Sequence, residues 1–213
     1  MYCGSWKFTV DVFDILVGFR DPNSVPIKDF YEYSVNINYF SLFINHKNVT
    51  VREAFLRFTG DLLISLPDKC DVEPRVVPYL LSGLFDNHGS IRDSALEIIE
   101  QVGINCEREK EKDFREQKQM GYDSEWTYDG KLNHLPVPDP IKKRPRLGSR
   151  HTVMCQLSKL IHPIRRELKD SIHEESRLKS ARLLEIMLIY VEEHIVEHLN
   201  FIVPVMLNIY SED

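Results

Sequence analysis

Apolar residues fall at helical spacing along most of this chain. Phe8, Val12, Ile15, Leu16 and Phe19 line one side of a helix expected over 5–19, because side chains three and four apart share a face. Asp21-Pro22-Asn23 ends it, since proline lacks the amide a continuing helix needs, and a connector runs to Pro26. Residues 29–45 carry two periods. Tyr33, Val35, Ile37 and Tyr39 alternate as in a strand, whereas Phe30, Ile37, Phe40 and Ile44 fit a helix; the helical context decides for the second. Helices follow over 49–66, 72–86 and 90–102, separated by the loop Pro67-Asp68-Lys69 and the turn Asn87-His88-Gly89. Gly103 reads as the left-handed stop of the third. The period returns over 150–169, where Pro163 is expected to introduce a kink, and continues in helices over 178–191 and 194–210.

One hexapeptide recurs within this pattern. Val51-Arg52-Glu53-Ala54-Phe55-Leu56 comes back as Ile91-Arg92-Asp93-Ser94-Ala95-Leu96, 40 residues later. That is the period of HEAT and armadillo arrays. Leu178-Lys179-Ser180-Ala181-Arg182-Leu183 matches the second copy in residue type at an offset of 87, seven more than two periods. A single helix pair has too little apolar area to offset the entropy of ordering it, so pairs must stack. The expected fold is therefore all-α: an α-α superhelix, a HEAT-repeat or armadillo-type solenoid, with a long charged and proline-rich insertion. Leu96, Ile99 and Leu183 are expected to face the cores between repeats.

The insertion begins where core periodicity ends. Residues 107–113 are seven charges in a row, and Glu111 with Arg115 at i,i+4 can hold a short exposed helix. Pro136, Pro138, Pro140 and Pro145 then lock an extended connection. The chain thus divides into HEAT repeats over 1–104, a charged, proline-rich linker or insertion over 105–149, and HEAT repeats over 150–213. The final stretch, 201–207, is apolar over much of its surface, so the array is expected to continue past Asp213.

Composition narrows the function. The 213 residues are 43% apolar and 28% charged, with a net charge of −6, which argues against broad binding to nucleic acid or anionic membranes. Cys3, Cys70, Cys106 and Cys155 lie far apart with no Cys-x-x-Cys pair, so they read as reduced thiols and the Asn48-Val49-Thr50 sequon as unused. No stretch approaches the roughly 18 uninterrupted apolar residues of a membrane span, and no secretory signal opens the chain. Nor do the glycine-rich, nucleophile-elbow or phosphate-cradling motifs of common enzymes occur. No enzyme activity, cofactor, metal or small-molecule ligand is expected. His194 and His198 sit at i,i+4, but Ile195 follows the first where a zincin requires Glu; a solvated helix face is the better reading.

Partner contacts remain. Arg57, Asp61, Glu97 and Gln101 occupy the exposed side of the second helices by the period of 40, the row that a solenoid offers to an extended or helical client. Trp126, an aromatic in a polar loop, either staples that loop or anchors a partner. Arg52 and Arg92, at the starts of those helices, are expected to bond to turn groups such as Asp86. Lys142-Lys143-Arg144-Pro145-Arg146 has the form of a short import signal or phosphate-binding patch.

The motifs taken in order resemble a known family. Val76-Val77-Pro78-Tyr79-Leu80-Leu81-Ser82-Gly83-Leu84 through Gln101-Val102-Gly103, then Arg144-Pro145-Arg146-Leu147-Gly148, Leu157-Ser158-Lys159-Leu160-Ile161-His162-Pro163, Arg177 to Leu184, Glu192-Glu193-His194 and His198-Leu199 are similar to the dynein axonemal assembly factors built of HEAT repeats. Ser149 stands where that resemblance implies a cysteine. The resemblance implies a cytoplasmic, non-enzymatic scaffold or adaptor for preassembling axonemal dynein arms for motile cilia. Its implied partners are axonemal dynein chains, other assembly factors and co-chaperones. The alternative is a nuclear-transport or chromatin-associated HEAT adaptor using Lys142 to Arg146.

Overall fold

The computed structural model describes residues 39–67, 69, 72–119, 137, 139, 141, 143–170 and 174–212. The expected helix over 5–19, most of 29–45, Trp126, Lys142 and the first three insertion prolines lie outside them. The described elements are all helical: α1 (Tyr39–Ile44), α2 (Val49–Ser65), α3 (Glu73–Ser82) with a 3₁₀ turn at Gly83–Phe85, α4 (Gly89–Glu109), α5 (Glu111–Gln119), α6 (Leu147–Met154), α7 (Leu157–Asp170), α8 (Glu174–Val191), a 3₁₀ segment at Glu192–His198, and α9 (Leu199–Glu212). No helix among them is long and apolar enough to cross a membrane.

The expected helices over 49–66 and 72–86 form with little change. Asn48 caps α2 by accepting from the Thr50 amide (2.9 Å), which satisfies one of the unpaired donors of the first turn. Stacking buries the apolar stripes together: Leu56, Val76, Leu84, Ile91 and Ala95 are fully enclosed between α2, α3 and α4. Edge-to-face rings of Phe40, Phe55 and Tyr79, with centroids 5.1–5.9 Å apart, close one end of this core. Ile99 and Leu183 are buried as expected, but Leu96 is only half-buried.

Charged rungs join the turns. Arg52 grips Asp86 with both Nε (2.7 Å) and Nη2 (3.0 Å) and donates through Nη1 to the His46 carbonyl (2.7 Å). Arg92 donates to the Asp86 carbonyl (2.7 Å). The two arginines of the repeated hexapeptide thus do bond to turn groups, as their position at the head of each second helix implies. Fork-on-fork pairing of this kind fixes geometry as well as charge. Asp86→Asn, which keeps the shape and removes the charge, should lower the unfolding free energy by about 1.5–3 kcal/mol, checked by urea denaturation beside wild type.

Gly103 does not stop α4. It lies buried inside that helix, which runs on to Glu109. The glycine is needed for closeness, not for a left-handed turn: a Cβ there would stand 2.2 Å from Ser149 Oγ and 2.6 Å from the Ser149 amide nitrogen, and one on Gly148 would stand 2.1 Å from the Gly103 carbonyl oxygen. Two side-chain-free positions let α6 cross α4 backbone to backbone. Ser149 Oγ donates to the Ile99 carbonyl there (3.0 Å).

This crossing also changes the expected place of the third copy. α4 is flanked by α2 and α6, while α8, which carries Leu178–Leu183, packs on α3, α6 and α7. The hexapeptide match in α8 therefore does not take the second-helix position next to α4. The 150–169 stretch breaks at Cys155-Gln156, between α6 and α7, and Pro163 lies buried within α7. Ends of the 105–149 stretch also carry more burial than their charge suggests: Phe114, Ile141 and Ser149 are almost fully enclosed. Phe114 meets the edge of His151, ring centroids 5.3 Å apart, and the expected Glu111–Arg115 pair forms on α5.

Candidate functional site

The exposed side of α2 and α4 carries the charges. Arg57, Asp61, Glu97 and Gln101 all point to solvent, so the period of 40 placed them on one face of adjacent helices. Arg57 donates to Glu53 (3.0 Å). That bond first, and the fields of Glu97 and Asp61 after it, raise the pKa of its guanidinium, which marks Arg57, Glu53, Asp61 and Glu97 as one electrostatic neighbourhood. Trp126 is outside the described residues.

Glu97 also belongs to a groove of about 540 Å³ between α4 and the incoming strap at 141–145. Its floor is apolar: Leu96 of α4, Ile141 and Pro145. Its rim carries Asp93, Glu97 and Glu100, faced among the described residues by Lys143. Tyr190 of α8 closes the inner end, 1% exposed, and its hydroxyl has no hydrogen-bond partner among the described residues. Burial, and then the Glu100 charge, push the Tyr190 phenol up, so it stays a protonated donor.

The period could locate Glu97 but not this groove. Ile141 and Pro145 come from a segment whose prolines and charges read as linker, and Tyr190 lies on what reads as an ordinary core stripe. An isolated Ile among prolines was the one available signal.

The two arginines of the basic cluster are not free. Arg146 pairs with Glu107 through Nε (2.9 Å) and Nη2 (3.1 Å), and Glu107 also accepts from the Gly148 amide (2.9 Å). Arg144 grips Glu192 with Nε at 2.5 Å and with Nη2, and Arg150 Nη1 reaches the same carboxylate at 2.7 Å. Pro145 between them is buried. Burial alone would raise the Glu192 pKa, but Arg144 and Arg150 hold it below the usual carboxylate range. Glu192 sits at φ 49°, in the left-handed region. His194 and His198 lie in the 3₁₀ segment and not in an α-helix, where residues three apart, not four, share a face. The i,i+4 ligand geometry is therefore lost. Burial raises the pKa of both described thiols, Cys106 and Cys155, which keeps them from the reactive thiolate form.

Comparison with known proteins draws these parts together. Residues 136–213 match the model of the HEAT-repeat domain of dynein axonemal assembly factor 5, and residues 41–117 match the model of dynein axonemal assembly factor 5-like TPR repeats. Together the two matches span well over half of the chain. The chain belongs to the dynein axonemal assembly factor 5 family. Among relatives in the family, the mouse protein is 30% identical over 71% of this chain and 16% of its own length. The Xenopus laevis protein is 28% identical over 75% of this chain and 18% of its own; for the human protein the figures are 28%, 76% and 18%. The chain thus spans under a fifth of the length of these family members. No solved structure matches it significantly. Of the two family matches, the first covers Arg144, Arg146, Gly148 and Glu192 and the second covers Glu107, so the residues that tie the strap to α4 and to the 3₁₀ segment fall within matched sequence.

Proposed function

We propose that this chain is part of a non-enzymatic HEAT-repeat scaffold acting in the cytoplasm, where axonemal dynein arms are preassembled for motile cilia, and that it binds dynein subunits or co-chaperones. The observation that carries the reading is membership of a family whose relatives are named dynein axonemal assembly factors, joined to an exposed charged row on neighbouring helices. Arg57, Asp61, Glu97 and Gln101 are the proposed partner contacts. Stacked helices hold such a row rigid, so a client binds without ordering the receptor first.

The nuclear or chromatin-adaptor alternative has less support. An import receptor or a phosphate backbone needs extended, available cations, and Arg144 and Arg146 are already committed to Glu192 and Glu107. Affinity purification of the full-length protein from ciliated cells should recover dynein heavy or intermediate chains together with co-chaperones. Recovery of import receptors or chromatin proteins in their place would overturn the proposal.

A further inference from the structure

The groove beside α4 has features that a plain solvated helix face lacks. Asp93 and Glu97 make no ion pair among the described residues, although cations are common elsewhere on the surface. Glu100 has only a long contact from Ser149 Oγ (3.5 Å). Among the described residues the rim sets three carboxylates against Lys143. The floor is apolar and continuous with the core, since Ile141 is 1% exposed. At its inner end Tyr190 holds a buried O–H with nothing to receive it. An unsatisfied buried hydroxyl is costly, so a bound acceptor there would remove a penalty already present in the free protein.

These features select the occupant. A phosphate-bearing ligand is repelled by the rim. A wholly polar cation gains nothing from the floor, and a wholly apolar segment leaves the carboxylates and the phenol unmatched. We propose that the groove between α4 and 141–145 binds a basic amphipathic segment of a protein partner. Its apolar side chains cover Leu96, the half-buried residue of the floor, its Lys or Arg side chains reach Asp93 and Glu97, and insertion of one of its carbonyls toward the enclosed Tyr190 hydroxyl supplies the missing acceptor. This rests on the reading of the chain as a partner-binding scaffold, and it names the chemistry of the partner for the Glu97 end of the charged row.

The test uses the purified chain and a fluorescent peptide with Leu at helical spacing and Lys at the remaining positions, alongside a counterpart with Glu for Lys. By fluorescence anisotropy the Lys peptide should bind and the Glu peptide should not. Asp93→Lys with Glu97→Lys should weaken binding by on the order of tenfold or more. The same charge change on α5, Asp113→Lys with Glu116→Lys, should alter it by less than about twofold at physiological salt, where distant surface charges are screened. Tyr190→Phe should weaken binding by about threefold, the loss of one hydrogen bond, without lowering the thermal midpoint. Equal losses from the α4 and α5 reversals would reduce the effect to net charge and overturn the groove. So would unchanged binding by the α4 variant, or a chain that dimerises through this groove and takes no peptide. If dynein chains are captured from cells by wild type and by the α4 variant alike, the groove fails and the scaffold stands; if wild type captures none, the scaffold reading fails on its own terms.

Discussion

Gly148→Ala should lower the unfolding free energy by on the order of 3 kcal/mol or more, because the added methyl meets backbone and not a movable side chain. The Cβ would stand 2.1 Å from the Gly103 carbonyl oxygen and 2.8 Å from the Glu107 Cγ. Relief requires α6 to back away from α4, which breaks the Ser149 bond to the Ile99 carbonyl and draws Arg146 off Glu107. Gly89→Ala is the control. At Gly89 a Cβ would meet only the Arg92 Nη2, at 3.7 Å, and the first turn of α4 accepts Ala without strain, so stability should hold or rise by about 0.4–1 kcal/mol. Urea unfolding followed by circular dichroism measures both. Equal stability of the two variants would mean that α6 does not cross α4 at these glycines.

Glu192→Gln should cost about 3–5 kcal/mol, the range for removing one partner of a buried pair and leaving charge behind. Here one carboxylate serves two guanidiniums, whose side chains are only 13% and 10% exposed. Arg150 already holds Nε and Nη2 without partners among the described residues, so none of these offers it a second acceptor. The pH dependence follows from the depressed pKa of Glu192. The unfolded chain protonates this group at about 4.3, and the folded one does so lower still. Its contribution is therefore fully present above the unfolded value and lost as pH falls through the folded one. The stability gap between wild type and Glu192→Gln should be flat above about pH 5 and close progressively below about pH 4. A gap that widened in acid would show that Glu192 is not held ionised by the arginines.

How much of this was legible depended on how far apart the deciding groups lie. The rungs from Arg52 and Arg92 could be read because a repeated arginine at a helix start has few partners other than the neighbouring turn. The α2 boundaries and the Glu111–Arg115 pair are likewise local. Gly103 was misread because a glycine after an amphipathic run looks the same whether it ends a helix or admits another; the difference is made by Gly148, far along the chain. Arg144 and Arg146 looked like a free cluster because their carboxylates, Glu107 and Glu192, lie on other helices. Half of the candidate site shared this obscurity. Glu97 followed from the period, but the groove around it needs Ile141, Pro145 and Tyr190 from outside the repeat.

Among the described residues, most long-range side-chain ties join groups roughly one repeat apart: 34 residues for Arg52–Asp86, 40 for Lys69–Glu109, 39 for Arg146–Glu107 and 42 for Arg150–Glu192. Gln156 to Glu73 spans 83, and α8 reaches back to α3 in the same way. Chains with only one-repeat ties can zip from any point and fray from either end. A tie that skips a repeat closes a longer loop at little extra entropy, since doubling the loop adds only about 0.6 kcal/mol. What it changes is the seat of α8, which packs on α3 as well as on its sequence neighbours α6 and α7. Helix α8 thus acts as a latch on an earlier repeat, so in hydrogen exchange α8 and α3 are expected to gain protection together and not as separate units.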